Sequence, residues 1–279
     1  LTIVQTDIPM TAKRCEETIR QLAEKYGFRR QQLTTTAWGR PVTALVAGTG
    51  DRQVLFTAAH HANEWITAPV LLKFAEDLGE GGQLYGVDAD IILRNSTVHL
   101  IPMVDPDGVD LVTGAIRPGD AQYEMAKNLS ENYPDIPFPS GWKANLLGVD
   151  LNLQYPAGWL MAREIKFSQG FTRPGPRDYV GRAPLGQRES RALAEFTQTF
   201  APALVLAYHT QGETPEKKQD CYLCTDLLAT EKHASGLYDT CVFEFGQTEL
   251  RKALNHIQTE EQEHGDMIYK YMKANSMYS

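Results

Sequence analysis

Cysteine is scarce in this chain: Cys15, Cys221, Cys224 and Cys241 are the four in 279 residues, too few for a disulfide scaffold at this size. Cys221 and Cys224 form a C-x-x-C, but no second pair follows at zinc-ribbon spacing and the surroundings are not thioredoxin-like, so the pair reads as structural or incidental. Long apolar runs are also missing. A bilayer crossing needs roughly 18 apolar residues, and the best run here, 203–208, suits a buried strand instead. Positive charge is in deficit, with 27 Lys and Arg against 35 Asp and Glu for a net charge of −8. That balance leaves no broad basic surface for nucleic acid or anionic lipid, so nucleic acid is excluded as an expected partner. Neither a repeat of roughly 20 to 50 residues nor a low-complexity linker divides the chain. Leu1 follows no initiator Met or charged-then-apolar leader, which reads as a processed or trimmed chain.

What is present is a 42% apolar composition, enough for one sizeable core, and the expectation is a single domain over 1–279. Helical periodicity marks 11–26, with Thr11 as its cap, and marks W-I-T-A-P-V-L-L-K-F-A-E-D-L, with Pro69 near its start. It recurs at 186–200 and 260–273. Short apolar runs at 54–59, 97–104, 203–208 and 240–245 read as strands. D-P-D-G after the second of these is a turn signal, and 117–147, rich in Pro, Gly and Asn, reads as an elaborated loop. Strands alternating with helices predict an α/β fold, a mixed and largely parallel sheet covered on both faces.

Three positions in this scheme can hold a metal. His61 and Glu64 form H-x-x-E just past a strand, where α/β sheets commonly place functional groups. At three-residue spacing an imidazole and a carboxylate can converge on one ion. In a chain with seven histidines such a motif also arises by chance. His209 strengthens it, because it ends the apolar strand A-L-V-L-A-Y and can emerge at the same sheet edge. Two His and one carboxylate leave a fourth zinc position for water, the pattern of a catalytic rather than a structural site. Glu244, in C-V-F-E-F-G, is costly to bury alone. It either faces solvent from a half-exposed strand or serves as a general base beside a metal-bound water.

H-H-A-N-E-W-I-T, P-M-V-D-P-D-G from Pro102, G-V-D-L-N from Gly148, Y-H-T-Q around His209 and F-E-F around Glu244 occur in the order found in zinc metallocarboxypeptidases of the carboxypeptidase A family, which the chain therefore resembles. The resemblance runs from about residue 54 to 245. It implies a three-layer α/β/α sandwich with a mixed, mostly parallel eight-stranded sheet, one zinc ion on His61, Glu64 and His209, and Glu244 as catalytic base. Asn152 matches the asparagine that helps anchor a substrate carboxylate. Leu153 stands where the family usually carries the arginine that grips a C-terminal carboxylate, and leucine has no donor to offer. Lys143, in W-K-A-N-L-L, takes the region of the transition-state arginine, and Tyr238 the region of the family's mobile tyrosine. The interval from His209 to Glu244 is short for the family.

G-V-D-L-N-L-Q-Y-P-A-G-W resembles bacterial γ-D-glutamyl-diaminopimelate peptidases, the branch that cuts peptidoglycan stem peptides. That resemblance implies a secreted or cell-wall-associated enzyme, or one handling wall fragments in the cytoplasm. Two alternatives stay open: a metallocarboxypeptidase whose anchor has moved to an arginine such as Arg117 or Arg163, and a wall-peptide-binding protein without turnover.

Overall fold

The computed structural model describes residues 2–84 and 86–210 and, near the end of the chain, 259, 262, 266, 269, 270 and 273. The chain divides into two compact units, Leu1–Gly212 and Glu213–Ser279. The single domain over 1–279 stays an expectation beside this division, whose boundary falls in the polar stretch Q-G-E-T-P-E-K-K-Q-D, 211–220. In the second unit the described residues are helical, and Asp266 pairs with Lys270 at 2.6 Å, one turn apart, within the helix expected over 260–273. The expected strand at 240–245 and the C-x-x-C lie outside the described residues.

The first unit opens with α1 (Ala12–Tyr26). Thr11 Oγ1 accepts from the Arg14 N–H at 3.3 Å, and Gly27 ends the helix at φ 71°, a left-handed cap that costs glycine least. Cys15, Ile19 and Leu22, spaced three and four apart, are its buried stripe. Then come β1 (Arg29–Thr35), β2 (Pro41–Ala47) and β3 (Arg52–Thr57), followed by α2 (Thr67–Glu80). A two-residue pair β4 (Gln83–Leu84) and β5 (Val87–Asp88) leads into α3 (Ala89–Asn95) and β6 (Ser96–Ile101). The chain continues through α4 (Pro106–Val112), α5 (Ala121–Ser130), α6 (Trp159–Ser168), α7 (Arg188–Gln198) and β7 (Leu204–Ala207).

Five strands form the main sheet among the described residues, in the order β1-β2-β6-β3-β7. The β1–β2 and β2–β6 pairs are antiparallel, and β6–β3 and β3–β7 are parallel. The sheet is therefore mixed, as expected, with two parallel and two antiparallel pairings among the described residues; the β1–β2 hairpin, whose first strand R-R-Q-Q-L-T-T is polar and largely exposed, carries no apolar signature to read. Alternation in β2 splits its side chains between two cores. Leu45 and Ala47 join Ile19 and Leu22 of α1 and Leu71 and Leu72 of α2, while Val42, Ala44 and Val46 join Leu193 and Phe196 of α7. Burial on both faces explains the apolar run 44–47 of β2, and each fully buried leucine contributes roughly 1.5–3 kcal/mol.

Two loop expectations are corrected. D-P-D-G begins a helix rather than a turn: Asp105 Oδ1 caps α4 by accepting from the Gly108 N–H at 3.0 Å, with Pro106 in the first turn where no N–H is needed. The stretch 117–147 contains α5, which buries only Ala126 and Ser130, too thin a stripe for a period to show.

Candidate metal centre

β3 and β7 run side by side in parallel, with Thr57 opposite Ala207 and the Tyr208 N–H donating to the Thr57 carbonyl at 2.8 Å. Both strands therefore deliver their next residues to the same edge of the sheet. After β3 the chain turns through Ala59, whose φ of 45° is left-handed for a non-glycine residue. Ala59 is held on both sides, its N–H donating to Thr67 Oγ1 at 2.8 Å and its carbonyl accepting from the Asp105 N–H at 2.9 Å. The 3₁₀ turn Ala62–Glu64 comes next, a winding that nearly eclipses residues three apart and so sets Glu64 over His61.

His209 completes the group. His61 Nδ1 lies 3.0 Å from Glu64 Oε1 and 3.2 Å from His209 Nδ1, and His209 Nδ1 lies 2.8 Å from Glu64 Oε2. Donors bound at zinc's usual lengths to one tetrahedral ion stand roughly 3.3 Å apart, close to these separations. Two ring nitrogens facing one another at 3.2 Å oppose their lone pairs unless a proton or cation lies between them, so the donor set fits a zinc ion. The Thr210 N–H donates to Glu64 Oε2 at 3.1 Å, fixing that carboxylate from the β7 side. His61 and Glu64 are each 3% exposed, whereas the His209 side chain is 32% exposed.

Asp150 stands behind the ligands. Its Oδ1 accepts from His61 Nε2 at 3.2 Å, which places the ring proton on Nε2 and leaves the Nδ1 lone pair facing Glu64 and His209. The same oxygen accepts from the Asn152 N–H at 3.1 Å, capping the 3₁₀ turn Leu151–Leu153. Burial pushes the Asp150 carboxyl up, but His61 and the Lys143 charge outweigh it and hold it below the usual range. Burial likewise raises Glu64, and the His209 and His61 contacts bring it down to about 2. His61 is pushed down by burial, yet Asp150 and Glu64 carry it above its ordinary value. His60 is lowered to about 3, by burial first and then by His209 and His61, and it shares a 3.1 Å hydrogen bond with Tyr155 Oη.

Lys143 stands within electrostatic reach of His61 and Asp150, and its carbonyl accepts from the Ala62 N–H at 3.2 Å. Asn152 is exposed and lines a cavity of about 400 Å³ with His60, Tyr155, Leu193 and Val205. Leu153 is half-buried on the same turn. Arg117 is exposed, and the Arg163 guanidinium lies over the Phe167 ring at 4.5 Å. Glu244 and Tyr238 lie outside the described residues, in the second unit. Sequence reading overlooked Asp150, although it sits in G-V-D-L-N two residues before Asn152. A carboxylate so close to a ligand-rich segment is the signal that could have found it.

Residues 219–279 match the family model described as coat F domain, so Glu244 and Tyr238 fall within that match. Gamma-D-glutamyl-L-diamino acid endopeptidase 1 of Lysinibacillus sphaericus is 38% identical over 201 residues, covering 70% of this chain and 48% of that protein. The uncharacterized protein YqgT of Bacillus subtilis (strain 168) is 34% identical over 206 residues, covering 71% and 53%. The chain thus spans about half the length of these curated relatives. Carboxypeptidase A from Helicoverpa armigera superposes with a TM-score of 0.56 at 18% identity, covering 82% of this chain and 55% of that one, a likeness of fold. The zinc carboxypeptidase model, peptidase M14, matches residues 15–215, and with well over half of its length inside that match, ligand residues included, the chain belongs to the zinc carboxypeptidase family.

Proposed function

We propose that this chain is a zinc-dependent peptidase acting on peptidoglycan stem peptides at the γ-D-glutamyl-diaminopimelate amide. The observation that carries the reading is Leu153. It occupies the turn beside the metal group where a C-terminal trimming enzyme would need a bidentate cation. The 38% identity to a gamma-D-glutamyl-L-diamino acid endopeptidase supports it.

A zinc ion on His61 Nδ1, Glu64 and His209 Nδ1 supplies Lewis acidity toward an amide carbonyl and a nucleophilic water at neutral pH. Asp150 keeps the His61 ring in the tautomer that can bind. The Lys143 ammonium faces the developing negative charge on the carbonyl oxygen, and Asn152, at the cavity rim, hydrogen-bonds the substrate. The site acts outside the membrane or on wall fragments. The same reading takes the five-stranded sheet as part of the eight-stranded, three-layer sandwich implied by the resemblance.

One observation favours a second reading, peptide binding without turnover: Glu244, the expected base, lies past residue 215, where the zinc carboxypeptidase match ends, and inside the coat F match. A single experiment separates the two. The zinc-loaded chain is incubated with L-Ala-γ-D-Glu-diaminopimelate extended by D-Ala, with a chelator control, and products are identified by mass spectrometry. Chelator-sensitive cleavage between Glu and diaminopimelate supports the peptidase. Binding with no cleavage supports the second reading, and trimming of ordinary peptides from the C-terminus returns the chain to the carboxypeptidases. Glu244→Gln, assayed alongside, removes Glu244 from the chemistry if turnover persists.

A further inference from the structure

Asp178 has φ 65°, in the left-handed region that, glycine apart, mainly Asn and Asp enter, and it is 7% exposed. Its carboxylate is gripped by Lys166 Nζ of α6 at 2.7 Å and by Arg177 Nε at 2.6 Å. Its backbone N–H donates to Asp150 Oδ2 at 3.4 Å, the oxygen opposite the one that accepts from His61. The neighbouring backbone is pinned on both sides. The Pro176 carbonyl accepts from the N–H groups of Lys143 at 2.7 Å and Ala144 at 2.8 Å, and the Tyr179 carbonyl accepts from the Asp150 N–H at 2.9 Å. With both carbonyls held, the left-handed turn at 178 is what lets the intervening N–H face Asp150.

We propose that Asp178 is a positioning residue for the metal centre. Clamped by Lys166 and Arg177 in a conformation few residues adopt, it aims its amide at Asp150 and keeps that carboxylate against His61, so that Nδ1 faces the ion. The proposal rests on the reading of His61, Glu64 and His209 as zinc ligands. Strained backbone persists where the surrounding structure over-determines it, and it clusters at functional sites. The groups that hold a ligand's partner also affect metal affinity.

The test is zinc affinity of the full chain, measured by competition with a chromophoric chelator, together with the visible spectrum of the Co(II)-substituted protein. Glycine and asparagine accept positive φ, so Asp178→Gly and Asp178→Asn should bind zinc nearly as the parent does and keep its cobalt spectrum. Valine does not, so Asp178→Val should weaken zinc by about 10- to 100-fold and alter the spectrum. In an Asp150→Ala background the valine substitution should cost nothing further, because its path to His61 is gone. A purely structural role would lower the melting temperature of the metal-free chain and leave zinc affinity and spectrum alone. Parent-like zinc binding by Asp178→Val, or additive effects with Asp150→Ala, overturns the proposal. Should Asp178→Val not fold, Asp178→Ala decides, since alanine also resists positive φ: weaker zinc binding supports the proposal, and unchanged binding overturns it. A parent chain that binds no zinc sinks the ligand reading and this proposal together, whereas a zinc-binding parent with indifferent variants sinks only the latter.

Discussion

Asp150 and His61 lie 89 residues apart in sequence and meet at 3.2 Å, carboxylate oxygen to ring Nε2. The contact joins the loop after β3 to the 3₁₀ turn at Leu151–Leu153, and it decides which imidazole nitrogen carries the proton. Asp150→Ala should therefore leave all three ligands in the chain and still weaken zinc by about 10- to 100-fold. Titration against a competing chelator measures this, and parent-like affinity would show that the ring needs no such partner.

Gly148 precedes Asp150 at φ 72°, and a Cβ there would stand 2.6 Å from the Gly175 backbone nitrogen and 3.0 Å from Pro174 Cβ. Both the conformation and the space are denied to alanine. Gly148→Ala should lose stability by at least about 1–3 kcal/mol, visible as a lower urea midpoint. An unchanged midpoint would mean that the 174–175 backbone yields freely.

Glu189 is 4% exposed, and burial above all raises its carboxyl from 4.5 to about 7. Between those two values the native state holds a proton that the unfolded chain has released, so stability falls as pH rises from about 4.5 to 7 through this group and levels off above it. Denaturant melts across that window should show the slope shrinking in Glu189→Gln. An identical slope in the variant would place the titration elsewhere.

The Lys143 charge acts on His61 and Asp150, and under the proposed function it meets the developing oxyanion. Lys143→Met should lower kcat on the stem peptide by about 10²–10³ with little change in KM, the signature of an interaction made mainly in the transition state. Lys143→Arg should keep most of the rate. A methionine variant with parent kcat would return Lys143 to a surface role.

Local pattern made much of the first unit legible. The helix over 11–26, the apolar strands around 54–59 and 97–104, and the helix over 186–200 declare themselves because each buries a face in one of two cores; the run at 203–208 also marks a strand, but β7 is exposed along its length rather than buried as expected. The polar hairpin strand β1 and the thinly buried α5 do not, since neither offers a stripe to count. The boundary between the two units falls in Q-G-E-T-P-E-K-K-Q-D, 211–220, a polar stretch of the kind domain boundaries favour but too short to stand out as a low-complexity linker.

Residue identity and order by themselves nominated the ligands: an H-x-x-E at His61 and Glu64 with His209 at a predicted strand end is a candidate zinc set, and Leu153 has no donor to offer a carboxylate. Only the tertiary structure decided how these groups are held. The parallel β3–β7 pairing brings His209 to within 3.2 Å of His61, and the Asp150 loop selects the ring tautomer. The left-handed turn at Asp178 meets that loop from the far side. These contacts join residues distant in sequence, so no local period or propensity can encode them; they exist because the sheet and its packed loops leave those groups one mutual geometry.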